Sequence, residues 1–283
     1  MSDTASGDMT EGGGRLVAAL GSTPVGKTRS GEELVQWVLG QVKARPDAEV
    51  SVTVDGSLGE LRAVVAGQTG AMITALSEHM GMVDAGEGDV ARVRELGQTV
   101  KPASVGLWVE ARPGGIAAGW SFHGELGART VLAAMPDNEV HKALVEVVEG
   151  LQLETMFELK ASVATEQGAT FCRFQVDKAA VGVVRAIAET VGVEPFADEA
   201  VALLGETVEV IVGLNDEGVC GFGVSAAAVS TATVVELVSA VGGDAPALTA
   251  FEGLLGVAER GATLWFDAVG VRALFTYRLH FDR

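Results

Sequence analysis

Along the C-terminal segment Arg272, Leu274, Thr276, Arg278 and His280 alternate with Ala273, Phe275, Tyr277, Leu279 and Phe281. Successive side chains of a β-strand point to opposite faces, so one face here is apolar and the other mixed and basic. The same split recurs upstream. Met156, Glu158, Lys160 and Ser162 oppose Thr155, Phe157, Leu159 and Ala161, while Phe171, Arg173 and Gln175 oppose Cys172, Phe174 and Val176. Gathered over the chain, the polar faces hold Arg62, Lys160, Arg173, Arg272, Arg278 and His280, with Trp108, Phe171 and Trp265 as aromatics. They also hold Glu60, Glu110, Glu158, Glu209 and Asp267. Cations from separate strands converging on one cavity can bind a diphosphate through charge-assisted hydrogen bonds, arginine being favoured by its bidentate fork. Aromatic faces can stabilise a cation by about 0.5–2 kcal/mol each. The same residues also suit a plainer use, as cross-strand ion pairs in a wet interior.

Three other patterns bear on chemistry. Gly21-Ser22-Thr23-Pro24-Val25-Gly26-Lys27-Thr28 fits the P-loop spacing, with Leu16–Leu20 before it as a possible strand. In a P-loop, backbone N–H groups wrap phosphates and the lysine reaches the outer one. Here the next helix is expected to start at Ser30, capped with Glu33, and the chain shows no crossover βαβ units. The match is therefore expected to be fortuitous. Gly223-Val224-Ser225-Ala226-Ala227 half resembles a nucleophile elbow, but lacks the second glycine and any partner histidine save His280. The histidines His79, His123, His141 and His280 are scattered without metal-ligand spacing, so neither a metal nor another cofactor is expected.

The elements that position the polar faces come from an internal repeat. Turn glycines Gly56, Gly114, Gly168, Gly218 and Gly270 recur roughly every 50–58 residues, each between two β-type segments. Helix-length stretches separate the hairpins, as when one supersecondary unit is copied along a chain. The strands are expected at 50–54, 61–66, 104–111, 116–123, 154–162, 170–176, 207–214, 219–226, 262–268 and 272–281. Apolar strand faces should meet the helices. Closing the ten strands into a barrel would remove the sheet edges and enclose the polar faces around a lumen. The fold class is thus α+β, a ten-stranded antiparallel barrel of five αββα repeats with helices outside. Residues 1–29 read as a flexible N-terminal segment and 30–283 as a single barrel domain.

That architecture resembles the soluble aromatic prenyltransferases, the ABBA or PT-barrel family. Order and spacing match over nearly the whole chain. The local echoes are Gly114-Gly115-Ile116 leading to Trp120 and Phe122, Phe171 to Phe174 before a helix, and Arg272 to His280. The resemblance implies a prenyl diphosphate in the lumen, held by basic side chains, beside an aromatic or apolar acceptor. Carried over, it implies diphosphate binding by Arg62, Lys160, Arg173, Arg272 and Arg278. Trp108, Met156, Phe171 and Trp265 would line the prenyl and acceptor pocket. It also marks departures. Ala117 and Ala118 stand where the family usually has a lysine, Val219 to Gly221 where an arginine is usual, and Tyr277 is the chain's single tyrosine. A non-catalytic barrel binding an apolar small molecule, or serving as an interaction scaffold, fits the same pattern.

Composition narrows the partners. With 283 residues, 48% of them hydrophobic, and a mean hydropathy of +0.32, the chain can bury a large core. A net charge of −18 repels nucleic acid and anionic membranes, so neither is an expected partner. The uncharged run from Gly218 to Val235 is rich in small polar residues and reads as a buried strand plus helix, not a membrane span. Cys172 and Cys220 lie in apolar runs, as reduced buried thiols do, and a cytoplasmic location is expected.

Overall fold

A computed structural model describes residues 11–42, 47–81, 87–163, 169–176, 181–193, 197–205, 208–257 and 259–281. Its helices and strands alternate in pairs. The first unit runs α1 (Glu11–Ser22), a single 3-10 turn (Val25–Lys27), α2 (Arg29–Val42), β1 (Asp47–Asp55), β2 (Ser57–Gly67) and α3 (Thr69–Gly81). The second has α4 (Glu87–Val100), β3 (Ser104–Arg112), β4 (Gly115–Gly127) and α5 (Ala128–Ala134). The third has α6 (Glu139–Gly150), β5 (Thr155–Val163), β6 (Thr170–Val176) and α7 (Val181–Thr190). The fourth has α8 (Asp198–Ala202), β7 (Val208–Asn215), β8 (Gly218–Ala226) and α9 (Thr231–Ala240); α10 (Ala245–Leu255), β9 (Gly261–Asp267) and β10 (Gly270–His280) complete the chain.

The strands form one closed antiparallel barrel in the order β1-β10-β9-β8-β7-β6-β5-β4-β3-β2. The closing pair joins first strand to last, from Asp47 opposite His280 to Val54 opposite Ala273. The turn expected at Gln167-Gly168 lies outside the described residues; at the others Gly56, Gly218 and Gly270 have positive φ, which glycine adopts without steric cost.

The apolar strand faces point outward. Val50, Leu61, Val65, Leu107, Phe122, Phe222, Phe266 and Phe275 are buried in one core between barrel and helices. On β10 the expected split holds. Tyr277 packs at a tilt against Phe251 of α10, ring centroids 5.7 Å apart, and donates to Glu252 Oε1 at 2.9 Å. Arg272, Thr276 and Arg278 line the lumen. The 218–235 run is β8 followed by α9, and no helix among the described residues is long and apolar enough to cross a membrane.

The N-terminal segment departs from expectation. Residues 1–10 lie outside the described residues; over 11–29, in place of the flexible stretch expected, α1 packs against α10, between the last unit and the first. Leu16, Ala19 and Leu20, spaced as an apolar helical stripe, are fully buried. The glycines at the start of α1 permit a close approach, since a Cβ on Gly12 would stand 3.2 Å from the Phe281 ring.

The P-loop match falls in the same α1–α2 corner, and Leu16–Leu20 is helix, not strand. Gly26 N–H donates to Thr23 Oγ1 at 2.9 Å, Thr28 N–H to the Val25 carbonyl at 2.9 Å, and Gly31 N–H to Thr28 Oγ1 at 3.3 Å. These N–H groups are spent inside the corner. Thr28, rather than Ser30, caps α2, and Glu33 bonds Arg29 at 2.8 Å instead of closing a capping box. A side chain on Gly26 would collide with the Leu20 carbonyl, so its glycine serves a tight crossing. Lys27 points to solvent. Lys27→Ala is therefore expected to leave ATP and GTP binding where it stands in the parent, at no saturable signal by calorimetry. A saturable isotherm abolished by that substitution would overturn the assignment.

Candidate functional site

The lumen is a cavity of about 700 Å³ walled by inward-facing side chains. Arg62, Lys160, Arg173, Arg272 and Arg278 all reach it, as do Phe171 and Trp265. Trp108 is the floor under Lys160 and Arg62, whose charged ends stand 4.8 and 5.5 Å from its ring centroid. Met156 does not join them. The β4 register slips by one residue between His123 and Leu126, which pairs Met156 with Leu126, and both are buried in the hydrophobic core.

Two aromatic walls are set by glycines. On the β3–β4 side, Trp108 lies against Gly119, and its Nε1 donates to the Trp120 carbonyl at 3.2 Å. On the β7–β8–β9 side, Trp265 lies over Gly213, Gly221 and Gly223; Cβ atoms at Gly213 and Gly223 would stand 2.8 and 2.9 Å from the ring, and one at Gly221 nearer still. Phe171 meets Trp265 edge-on, with centroids 5.6 Å apart, and Trp265 Nε1 donates to Asp267 Oδ2 at 3.0 Å.

Cross-strand register pairs most of the charges. Glu110 faces Arg62 across β2–β3, accepts from Arg62 Nε at 2.6 Å, and accepts from Arg112 Nε at 2.5 Å. Arg173 lies between Glu158 at 3.0 Å and Glu209 at 2.9 Å. Arg272 pairs with Asp267 and reaches Glu60 at 4.0 Å. Counted along the wall, Arg62, Arg112, Lys160, Arg173, Arg272 and Arg278 stand against Asp47, Glu49, Glu60, Glu110, Glu158 and Asp267. The lumen is close to charge-balanced.

Two cations escape this pairing. Among the described residues neither Lys160 nor Arg278 has a carboxylate within 4 Å, although Glu49 faces Arg278 in the register. Arg278 is exposed, whereas Lys160 is only 8% exposed. Burial pushes the Lys160 amine down to about 7; Arg62 and Arg173 push the same way, against Glu158 and Glu110. Glu110 shows the opposite balance. Burial pushes its carboxyl up, and Arg62, Arg112 and Lys160 more than reverse this, holding it at about 2.

The five-hairpin barrel matches that of a 5-dimethylallyltryptophan synthase from Streptomyces coelicolor with a TM-score of 0.73 at 16% identity, over 96% of this chain and 98% of that one. It matches NotF prenyltransferase with a TM-score of 0.59 at 12% identity, over 81% and 80%. No protein-family model and no curated protein sequence matches the chain. The chain has the PT-barrel fold.

Within this PT barrel the departures seen in sequence acquire physical reasons. In the Val219 to Gly221 segment, where the resemblance implies an arginine, the Trp265 indole fills the space that a side chain on Gly221 would need. Ala117 faces Glu110, whose charge Arg62 and Arg112 already meet. Tyr277 lies outside the barrel wall against α10. Ser225 is still paired within β8, opposite Glu209 and Thr263, and accepts from Thr263 Oγ1 at 3.0 Å, while α9 begins only at Thr231, so the elbow-like stretch forms no sharp strand-to-helix turn at the serine. Among the described residues no group of His, Cys, Asp or Glu is arranged to hold a metal ion.

Other wall residues were missed. Arg112 was set beyond its strand, and Asp47 and Glu49 fell before the expected start of β1, although they continue the alternation of Ser51 and Thr53. His123 faces the lumen and shares a 2.7 Å hydrogen bond with Ser121. Cys220 also lines the lumen, while Cys172 is buried in the core as expected; both are free thiols.

Proposed function

We propose that the lumen is a prenyltransferase-like chamber, taking an isoprenoid diphosphate together with an aromatic or apolar acceptor. The carrying observation is a cavity of about 700 Å³ in which Lys160 and Arg62 share the Trp108 face. The likeness of the whole chain to a 5-dimethylallyltryptophan synthase supports the same reading. Phe171 and Trp265 would shelter the prenyl group and acceptor, with cation–π attraction favouring an allylic cation; Trp108, expected to join them, is 1% exposed and lies beneath Lys160 and Arg62 instead. Lys160, Arg62, Arg173, Arg272 and Arg278 would hold the diphosphate. Arg173 and Arg272 can do so only by turning from Glu158, Glu209 and Asp267, which sets a cost against binding.

That pairing favours a second reading, a non-catalytic barrel for an apolar small molecule. Titration of dimethylallyl or geranyl diphosphate, followed by tryptophan fluorescence, separates the two. A saturable change is expected from Trp108 and Trp265. Arg173→Ala and Arg272→Ala should each weaken it roughly tenfold, the worth of one charge-assisted hydrogen bond. Unchanged affinity in both variants would reject this diphosphate site. Saturable binding of indole, with no response to diphosphate, would establish the second reading.

A further inference from the structure

We propose that Lys160 is a nucleophilic amine that captures an aldehyde with a flat or apolar body as a Schiff base inside the lumen. The inference stands apart from the prenyl reading, in which Lys160 serves only as a cation.

A lysine becomes nucleophilic near neutral pH when it is desolvated or set beside another cation. Lys160 meets both conditions. It is buried on β5, among the described residues it lacks a carboxylate within 4 Å, and it shares the face of Trp108 with Arg62. Its cross-strand neighbours are Ser121 and Phe171, neither of them anionic. The charged and titratable groups facing it are Arg62 on β2, Glu110 on β3, His123 on β4, Glu158 on its own strand and Arg173 on β6. An amine placed there is poorly held as ammonium, consistent with its lowered pKa of about 7.

The cavity supplies the other half of the site. A carbonyl compound seated in the cavity against Phe171, the cross-strand neighbour of Lys160, would present its carbon to the amine. The nitrogen lone pair forms the C–N bond, the carbonyl π pair moves to oxygen, and Arg62 offsets the developing negative charge. The nitrogen sheds a proton to solvent and the oxygen takes one up, giving a carbinolamine. Loss of hydroxide with protonation gives water, and the final nitrogen proton returns to the medium. The sum is amine plus aldehyde giving imine plus water, with no oxidant or reductant.

The test uses the full chain, indole-3-carboxaldehyde and sodium cyanoborohydride at pH 7, with adducts mapped by peptide mass spectrometry. Fewer than about one ordinary lysine in a thousand is a free amine at that pH. Lys160 should therefore be trapped at least about tenfold faster than the exposed Lys27, Lys101 and Lys142. Lys160→Arg keeps the cation on Trp108 but removes the nucleophile, and should abolish only the fast adduct. Trapping at Lys160 no faster than at the exposed lysines would overturn the proposal, as would a fast adduct that survives in Lys160→Arg. Mapping on the parent protein decides the matter even if the variant does not fold.

Discussion

Gly119→Ala is expected to lower the melting temperature by on the order of 10 °C, read by circular dichroism. The position faces inward on β4, paired with Trp108 on β3 and Ser162 on β5. A Cβ there would overlap the Ala161 carbonyl oxygen and come 2.5 Å from Cζ2 of Trp108. Neither neighbour can retreat cheaply. The carbonyl belongs to the barrel backbone, and the indole is tethered by its Nε1 to the Trp120 carbonyl at 3.2 Å. Gly119 is held from the helix side as well, where its carbonyl meets His79 Nε2 at 2.9 Å. Overpacking of this kind costs about 3 kcal/mol, and a domain of this size loses roughly 2–4 °C per kcal/mol. Gly114→Ala is the control, since no atom lies within 4 Å of a Cβ there, and it should melt within about 2 °C of the parent. Equal melting temperatures for the two variants would show that the Trp108 wall is not fixed by this glycine.

The contrast between these two glycines marks what the chain discloses before folding. Gly114 was legible as a turn residue because turns recur with the repeat. Period-two alternation likewise placed Phe275 and Tyr277 against helices and Arg272 and Arg278 in the lumen. Gly119, Gly213 and Gly221 were not legible, because their role depends on indoles arriving from other strands. The charge network was hidden for the same reason. Alternation along one strand puts Arg62 and Glu110 on the same side of the sheet, but only the β2–β3 register puts them face to face. Met156 was misplaced because the bulge opposite it on β4 breaks the alternation, and a bulge leaves no mark in β5 itself. Leu16–Leu20 reads as a short strand because an apolar run of five residues does not by itself separate strand from helix; only within α1 do Leu16, Ala19 and Leu20 become one buried stripe.

Removing the Glu110 charge should have the broader consequence, because that carboxylate serves the fold and opposes an anionic ligand at once. Glu110 is 2% exposed and bonded to both Arg62 and Arg112. In the folded chain its carboxyl titrates at about 2, below its ordinary 4.5, so the unfolded state takes up the proton first as acid is added. Its contribution to stability is therefore complete above about pH 5, declines between pH 4.5 and 2, and is absent below that window. A shift of that size corresponds to on the order of 3 kcal/mol at neutral pH. Glu110→Gln keeps the shape and loses the charge. Urea unfolding at pH 7 should show it less stable by that amount, with the gap to the parent closing as the pH approaches 2. A gap that stays constant from pH 7 to pH 3 would mean the cost is steric, not electrostatic. In the lumen the same substitution leaves Arg62 without its partner and tips a balanced wall toward positive charge. If the chamber takes a diphosphate, the variant should bind it more tightly than the parent while folding less stably. Weaker diphosphate binding by a folded Glu110→Gln protein would place the anion away from the Arg62 and Lys160 wall.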